Sequence, residues 1–372
     1  MENKLPTPQG DVTEQVPRKK VRIEWLDALR GFTMILVIAN HVAQQAFEQE
    51  PKLSASLPFL LLFRMPLFFF ISGFLAYKAN LVWNLQTLKT LSLKKLRVQL
   101  IPTVVFFLLY VAMMCPDFSD GLARGLIAPT KFGYWFTLTL LYMLLAYYLF
   151  CYVESKLKWR SWIPITLLFV VSLCFYETCF LPKYFSWAQG YKGTPNAFLS
   201  YSSIGQMFYF FPFFLYGNMV RRYWDQAQRV MDSRWFYPVL IVLVIFCTLD
   251  VLKWHTLRFA WTNLPSTLAK FSLLTMVFMY FRHYKDYFTR FTVMGTSLQY
   301  IGRRTLDIYV LHFFFIPNMP TIGAFFNTYR HNFVLDTTLS VLMALLLVGF
   351  CIITSNILRV SPLFRKYLFG RS

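Results

Sequence analysis

The chain has 372 residues, of which 57% are hydrophobic and only 15% are charged. Ordinary soluble domains carry about a quarter charged residues, so a water-facing surface could not cover this much apolar side chain. The composition excludes a disordered chain, a collagen-like repeat and a small disulfide scaffold, and it predicts a protein embedded in lipid. The formal net charge of +20 would indicate nucleic acid in a soluble chain, but here the placement of the charges decides their meaning.

Apolar runs long enough to cross about 30 Å of hydrocarbon need roughly 20 helical residues, and the sequence contains ten of them. They cover about 25–45, 58–77, 98–115, 134–153, 161–181, 204–220, 235–252, 264–281, 304–320 and 337–358. Residues 1–20 form a polar tail that we expect to be disordered. Residues 21–372 form one membrane-embedded domain, because the connecting loops are too short for a separate soluble unit. The sequence therefore predicts an all-α, polytopic membrane protein with about ten transmembrane helices.

Basic residues indicate how these spans are oriented. With the N-terminus in the cytoplasm, 26 of the 37 Lys and Arg residues fall in inner segments, eight in outer loops and three within spans. This alternation follows the positive-inside rule and places both termini in the cytoplasm. The net charge is then mainly a topology signal, so we expect a lipid bilayer and no nucleic acid as partner. The expected location is the cell membrane or inner membrane, with multiple passes.

The first span carries an unusual stripe of ionisable side chains. At 100° per residue, Arg30 and His41 differ by about 20° around the helix axis, and Asp27 lies within about 60° of both. Charged groups at membrane depth are costly and are functional candidates by default. Two interpretations stay open, because Asp27 and Arg30 could equally form an (i, i+3) pair that stabilises the helix end. His41 could likewise simply cap the outer end.

Polar residues recur in the second and ninth spans. Arg64 either extends to the outer surface or faces the same interior as His41. In the ninth span, Arg303 and Asp307 have the (i, i+4) spacing of a salt bridge. Tyr309 and His312 are three residues apart and share a helix face, so both are expected to reach a polar interior.

The inner loop before the third span ends in a basic cluster formed by Lys94, Lys95 and Arg97. Such donors at the mouth of a helical bundle suit a phosphorylated ligand that arrives from the cytoplasm, although the positive-inside rule alone explains them equally well. Ser72, beside Gly73 in the second span, is a further candidate contact for that ligand. The six cysteines show no CxxC spacing and no nearby histidine, so no metal site is expected.

Several of these segments, taken in order, resemble the acyltransferase-3 family of integral membrane acyltransferases. The resemblance rests on residues 26–31 (LDALRG) with His41 eleven residues after Arg30, on 65–69 (MPLFF) with 72–74 (SGF), on 211–217 (FPFFLYG) and on 305–312 (TLDIYVLH). It extends over about residues 22–360. It implies transfer of an acyl group, commonly acetyl from acetyl-CoA, to a hydroxyl of a surface saccharide, a lipid-linked precursor or another small acceptor, with His41 and Arg30 essential. The family's basic cluster matches only loosely, because Gln99 stands where a second Arg is common.

From these observations we expect a membrane O-acyltransferase that uses acyl-CoA, with His41 as the general base. A secondary transporter is the main alternative and would show internal repeats with paired broken helices, which the sequence lacks. A third hypothesis is a non-catalytic membrane assembly partner, which would leave the ionisable stripe on the first span unexplained. Homo-oligomerisation is also possible. The expected site comprises catalytic residues Asp27, Arg30 and His41, cofactor-binding residues Ser72, Lys94, Lys95 and Arg97, and substrate-binding residues Arg64, Tyr309 and His312.

Overall fold

A computed structural model describes residues 22–49, 54, 56–157, 159–179, 201–249, 264–328, 332–362, 364 and 368–369. In these ranges the regular structure is helical throughout. The tail predicted for residues 1–20 lies outside the described residues. The α-helices are α1 (Glu24–His41), α2 (Ser56–Ala76), α3 (Leu85–Lys95), α4 (Ile101–Met114), α5 (Phe118–Ile127), α6 (Trp135–Glu154), α7 (Trp162–Cys179), α8 (Ile204–Arg222), α9 (Trp224–Met231), α10 (Phe236–Leu249), α11 (Leu264–His283), α12 (Val293–Arg303), α13 (Thr305–Leu311), α14 (Pro320–Thr328) and α15 (Phe333–Leu358).

Most of the predicted apolar runs coincide with long helices. Within the described residues, six helices are long and apolar enough to cross a membrane, and α9 with α10, bent by 78°, would make a seventh. Two of the six continue through short π-helices: Val42–Ala46 extends α1, and Leu96–Leu100 joins α3 to α4. The structure confirms the all-α, multi-helix prediction.

The single helix predicted for residues 304–320 is not formed. The chain breaks at Arg304, forms the short helix α13, tightens into a 3₁₀ helix at His312–Phe314, and starts again as α14 at Pro320. Proline has no backbone N–H to donate, so Pro317 and Pro320 stop a continuous helix here, and Pro320 is well placed to begin a new one. The polar residues of this run therefore lie on a short, interrupted element.

Helix α1 occupies the centre of the bundle and packs against α2, α11, α12 and α15. Its crossing with α12 depends on two glycines that face each other's backbone. A Cβ atom at Gly31 would overlap the Leu298 carbonyl, and one at Gly302 would overlap the Asp27 carbonyl. Small residues are what allow helix backbones to approach this closely in a membrane. This contact fixes the N-terminal half of α1, which carries Asp27 and Arg30, against α12.

The pairing of α2 with α8 follows the same principle. A side chain at Gly73 would overlap the Phe214 carbonyl, and one at Gly217 would overlap the Phe70 carbonyl. The Asn218 side chain also donates a hydrogen bond of 3.2 Å to the Gly73 carbonyl. The second and third segments of the family resemblance are therefore the two sides of one helix crossing.

Candidate active site

Two histidines from distant parts of the chain meet at the C-terminal end of α1. His41 is the last residue of α1 and is partly exposed, whereas His312 opens the 3₁₀ helix after α13 and is fully buried. Their ring centroids are 5.2 Å apart. The Phe313 ring packs against both, at 5.3 Å from His41 and 3.9 Å from His312. We call His41 and His312 the imidazole pair.

The break after α13 determines how His312 is held. Its Nδ1 lies 2.7 Å from the Tyr309 carbonyl oxygen, while its Nε2 is buried and has no hydrogen-bond partner within the described part of the chain. Buried polar atoms are nearly always paired, so an unpaired one at such a position is informative. The ring has one anchored nitrogen and one free nitrogen.

Arg64 of α2 faces this pair. Its side chain is 7% exposed, and its Nε has no hydrogen-bond partner among the described residues. The guanidinium lies close enough to His41 and Tyr309 for direct electrostatic interaction. Of the two interpretations left open by the sequence, burial favours the interior one. A buried guanidinium of this kind is well suited to stabilise negative charge that develops beside the pair.

The Tyr309 hydroxyl is used to secure a strained turn. It donates to the Gly133 carbonyl and accepts a hydrogen bond of 3.2 Å from the Phe136 backbone N–H. Lys131, Phe132 and Gly133 all have positive φ, at 48°, 52° and 101°. Left-handed backbone is costly for residues with a side chain and persists where the surroundings impose it. Tyr309 thus ties α13 to the entry of α6 beside the imidazole pair.

His41 is followed directly by the π-helix Val42–Ala46. Within this segment, Gln44 accepts a 3.0 Å hydrogen bond from Asn40, and the Gln45 amide lies 3.4 Å from His41 Nδ1. A π-helix inserts an extra residue per turn and is frequently found at functional sites. It redirects the side chains that follow His41, and His41 itself is partly exposed.

The opposite end of α1 opens into a large cavity of about 1370 Å³. We call it the cation cavity, because seven of its lining side chains are Arg or Lys and one, Asp27, is acidic. By the rise of an α-helix, Arg30 at its wall lies about 16 Å from His41 along the axis. The seven cationic residues are Arg22, Arg30, Lys78, Arg221, Arg303, Arg304 and Arg359.

Asp27 and Arg30 form the (i, i+3) pair that the sequence allowed, with 3.5 Å between Arg30 Nη1 and Asp27 Oδ1. They also line the cation cavity, and Arg30 Nη2 donates a 3.0 Å hydrogen bond to the Thr305 hydroxyl. The pair is therefore both an intrahelical contact and part of the cavity wall. Arg30 is positioned from α1 and from the start of α13.

A comparison with known protein families identifies the chain. The family model Acyl_transf_3, described as an acyltransferase domain, matches residues 23–358. The chain belongs to the acyltransferase-3 family. No curated protein and no solved structure matches the chain. The match confirms the resemblance drawn from the motifs, and with several apolar helices it identifies an integral, multi-pass membrane acyltransferase.

One ion pair predicted for this acyltransferase is wrong. Arg303 does not pair with Asp307, because α12 ends at Arg303 and the break at Arg304 removes the helical (i, i+4) geometry. Asp307 is bound instead by Arg359, the residue that follows α15, with 2.6 Å between Nη2 and Oδ2. Ser355 donates a further 2.9 Å hydrogen bond to the same oxygen. Arg303 instead donates a 3.2 Å hydrogen bond from Nε to the Gln299 carbonyl and lines the cation cavity.

The residues predicted to bind the cofactor do not lie together around the cation cavity. Lys94 and Arg97 are exposed and are not among the residues that line the cation cavity. Lys95 is partly buried and interacts electrostatically with Lys78 and Arg30 of that cavity. The Ser72 hydroxyl donates to the Phe68 carbonyl one turn earlier in α2, at 2.9 Å.

Besides Arg22, which precedes α1, five cationic residues of the cavity were not predicted for any role in the site of this acyltransferase. In the sequence they are indistinguishable from the other charges that the positive-inside rule places on the same side. Their convergence depends on the packing of α2, α8, α12 and α15 around the start of α1, which no local motif encodes. They are Lys78, Arg221, Arg303, Arg304 and Arg359.

Proposed function

We propose that this acyltransferase moves an acyl group, commonly acetyl, from a cytoplasmic acyl-CoA to a hydroxyl of a surface or lipid-linked saccharide. One observation carries the proposal: a single central helix has a cation-lined cavity at its first turns and an imidazole pair at its last residue. A phosphorylated thioester donor needs the first feature and hydroxyl activation needs the second. The family match supports acyl transfer over the transporter alternative.

The cation cavity suits the nucleotide end of CoA, which carries several phosphates. Arginine presents a planar fork of donors that binds phosphate oxygens in pairs, so a wall rich in arginine is a good polyanion site. The extended pantetheine arm has a length comparable to the distance of about 16 Å along α1 from Arg30 to His41. In this proposal Lys95 supplements the cavity, while the exposed Lys94 and Arg97 contribute long-range attraction.

The imidazole pair suits the chemistry of the acceptor. O-acylation requires a base for the hydroxyl proton and a positive or hydrogen-bonding group for the oxyanion that forms at the thioester carbon. His41 is the accessible ring and takes the role of general base. Arg64 lies beside it and takes the oxyanion role, while Tyr309 and His312 complete the acceptor end of the site.

The membrane topology belongs to the same proposal. Ten spans with both termini in the cytoplasm place the start of α1, and with it the cation cavity, on the inner side. His41 then lies toward the outer leaflet, where acceptors assembled across the membrane are found. On this view α13, the 3₁₀ helix and α14 form the interrupted ninth crossing.

Mass spectrometry of surface glycans tests the proposal. Cells that produce the wild-type chain should carry an acetyl-sized mass increase on a glycan or its lipid-linked precursor, relative to cells without the chain. His41→Ala should lose this increase, whereas His283→Ala, at an exposed histidine at the end of α11, should keep it. Identical glycans with and without the wild-type chain would contradict the saccharide acceptor, and an active His41→Ala variant would contradict the general base.

A further inference from the structure

The hydrogen bond to Tyr309 fixes which nitrogen of His312 carries the proton. A backbone carbonyl can only accept, so the Nδ1 atom that lies 2.7 Å from the Tyr309 oxygen must be the donor. A neutral ring protonated at Nδ1 has its lone pair on Nε2. That nitrogen is buried and has no hydrogen-bond partner in the described ranges. His312 is therefore held as a proton acceptor with an unused acceptor atom.

This arrangement matches what proton-transfer catalysis requires. In enzymes that use histidine as a base, a third group binds one ring nitrogen and so orients the other toward the reacting proton. Here the Tyr309 carbonyl is that group. His312 is fully buried behind the partly exposed His41, at 5.2 Å between ring centroids, so a substrate hydroxyl meets His41 first.

The groups around the imidazole pair disfavour a proton that remains on either ring. Arg64 of α2 and Tyr309 of α13 are the other titratable groups that interact with the pair in the described residues. The positive guanidinium disfavours a second lasting positive charge nearby. Phe313 packs on both rings. Shared proton transfer avoids placing a full imidazolium on His41 alone.

We propose that His312 is the second acceptor of a two-histidine proton relay, an assignment that rests on the proposed acyl transfer. The acceptor hydroxyl gives its proton to one nitrogen of His41 as its oxygen bonds to the acyl carbon. The other N–H of His41 passes a proton to His312 Nε2. When the carbon–sulfur bond breaks, the thiolate takes a proton back through the pair, which leaves an ester, a CoA thiol and two neutral imidazoles. The step requires a His41 N–H to turn toward His312 Nε2, and apo catalytic hydrogen bonds commonly tighten in this way on substrate binding.

The tautomer can be measured without any activity. The chain has five histidines, so ¹⁵N-histidine labelling in a lipid bilayer gives few signals, and the signal missing from His312→Asn assigns this residue. We expect a protonated Nδ1 and an unprotonated Nε2. The opposite tautomer, or a ring protonated at both nitrogens at neutral pH, would overturn the relay.

The catalytic role is tested with the same His312→Asn variant, because an asparagine amide can replace the Nδ1–H donor to the Tyr309 carbonyl but offers no Nε2. The assay follows thiol release from acetyl-CoA in vesicles from cells that carry the native acceptor. We expect kcat to fall about 100-fold or more, with KM for acetyl-CoA and thermal stabilisation by acetyl-CoA unchanged. Wild-type kcat in this variant would overturn the proposal.

A proton inventory in mixtures of H₂O and D₂O separates a relay from a purely structural role. Two protons moving in the transition state give a bowed dependence of rate on deuterium fraction for the wild type, and His312→Asn should give a straight one. A straight line for the wild type would overturn the relay and leave His41 as a lone base. If vesicles with the wild-type chain released no more thiol than vesicles without it, the proposed acyl transfer itself would fail, so the two failures are distinguishable.

Discussion

The His41 and His312 rings lie with their centroids 5.2 Å apart, although one residue ends the first helix and the other follows the thirteenth. Both stand at the end of an α-helix: His41 where α1 continues as a π-helix, and His312 where α13 tightens into a 3₁₀ helix. Irregular backbone inside a membrane is tolerated where it is buried in protein or lines a cavity. The imidazole pair therefore lies where two α-helices change into irregular helical turns.

Arginines of the cation cavity should control donor affinity. We expect Arg304→Gln and Arg221→Gln each to weaken acetyl-CoA binding by roughly tenfold or more, since a charge-assisted hydrogen bond contributes about 1.5–3 kcal/mol. Lys94→Gln and Arg97→Gln, at exposed positions outside the cavity lining, should have smaller effects. Calorimetric titration of the protein in nanodiscs measures all four. A larger loss at Lys94 or Arg97 would place the phosphates on the α3 side instead.

Tyr309 should matter for stability more than for acceptor affinity. Its hydroxyl bridges Gly133 and Phe136, so Tyr309→Phe leaves a buried carbonyl without its donor, at a cost of about 1–3 kcal/mol. We expect a lower melting temperature in detergent, with Tyr287→Phe, at a residue 66% exposed, as the neutral control. An unchanged melting temperature with a raised acceptor KM would show that the hydroxyl serves the substrate.

The glycine crossings should not tolerate a methyl group. Gly302→Ala and Gly217→Ala place a Cβ atom against a backbone carbonyl of the facing helix, which must then move away. We expect a lower melting temperature for both. Gly349→Ala is the matched control, because a Cβ there meets nothing within 4 Å and should stabilise α15 by roughly 0.5–1 kcal/mol. Destabilisation by Gly349→Ala equal to that of the other two would mean that an added methyl group destabilises these helices even away from a crossing, and would contradict this explanation.

Replacing the arginine by glutamine should lower protein stability at one ion pair and hardly change it at another. Arg222 binds both oxygens of Glu154, at 3.1 and 2.6 Å, and both side chains are largely buried. Arg222→Gln leaves that carboxylate without its cation and should cost about 3–5 kcal/mol. Arg124→Gln breaks a pair with Asp120 in which both side chains are at least 60% exposed, so the melting temperature should hardly change. Equal effects would indicate that the Glu154 pair is solvated.

The sequence predicted much of this architecture because its strongest signals are local. Apolar runs long enough to span lipid need no tertiary information, and nearly all of them became helices at the predicted positions. The stripe on α1 was also readable, because Asp27, Arg30 and His41 belong to one helix. The exception is the run 304–320, in which Pro317 and Pro320 prevent one continuous helix although the segment is apolar.

The parts that were missed depend on contacts between distant segments. Asp307 pairs with Arg359 and not with its near neighbour Arg303. This pairing depends on the helix break at Arg304 and on the approach of α15, which are both tertiary features. The cation cavity is likewise assembled from helices far apart in the chain. The free Nε2 of His312 follows from a 3₁₀ turn that hydropathy cannot predict.

Photo-crosslinking tests most directly whether the donor spans α1 from the cation cavity to the imidazole pair. The probe is an acyl-CoA whose acyl group carries a diazirine, applied to the purified protein in nanodiscs and mapped by peptide mass spectrometry. We expect label on the peptide that contains His41 or on residues 308–314, and loss of that label when acetyl-CoA is added in excess. Label that resists competition, or that is confined to other helices, would contradict it.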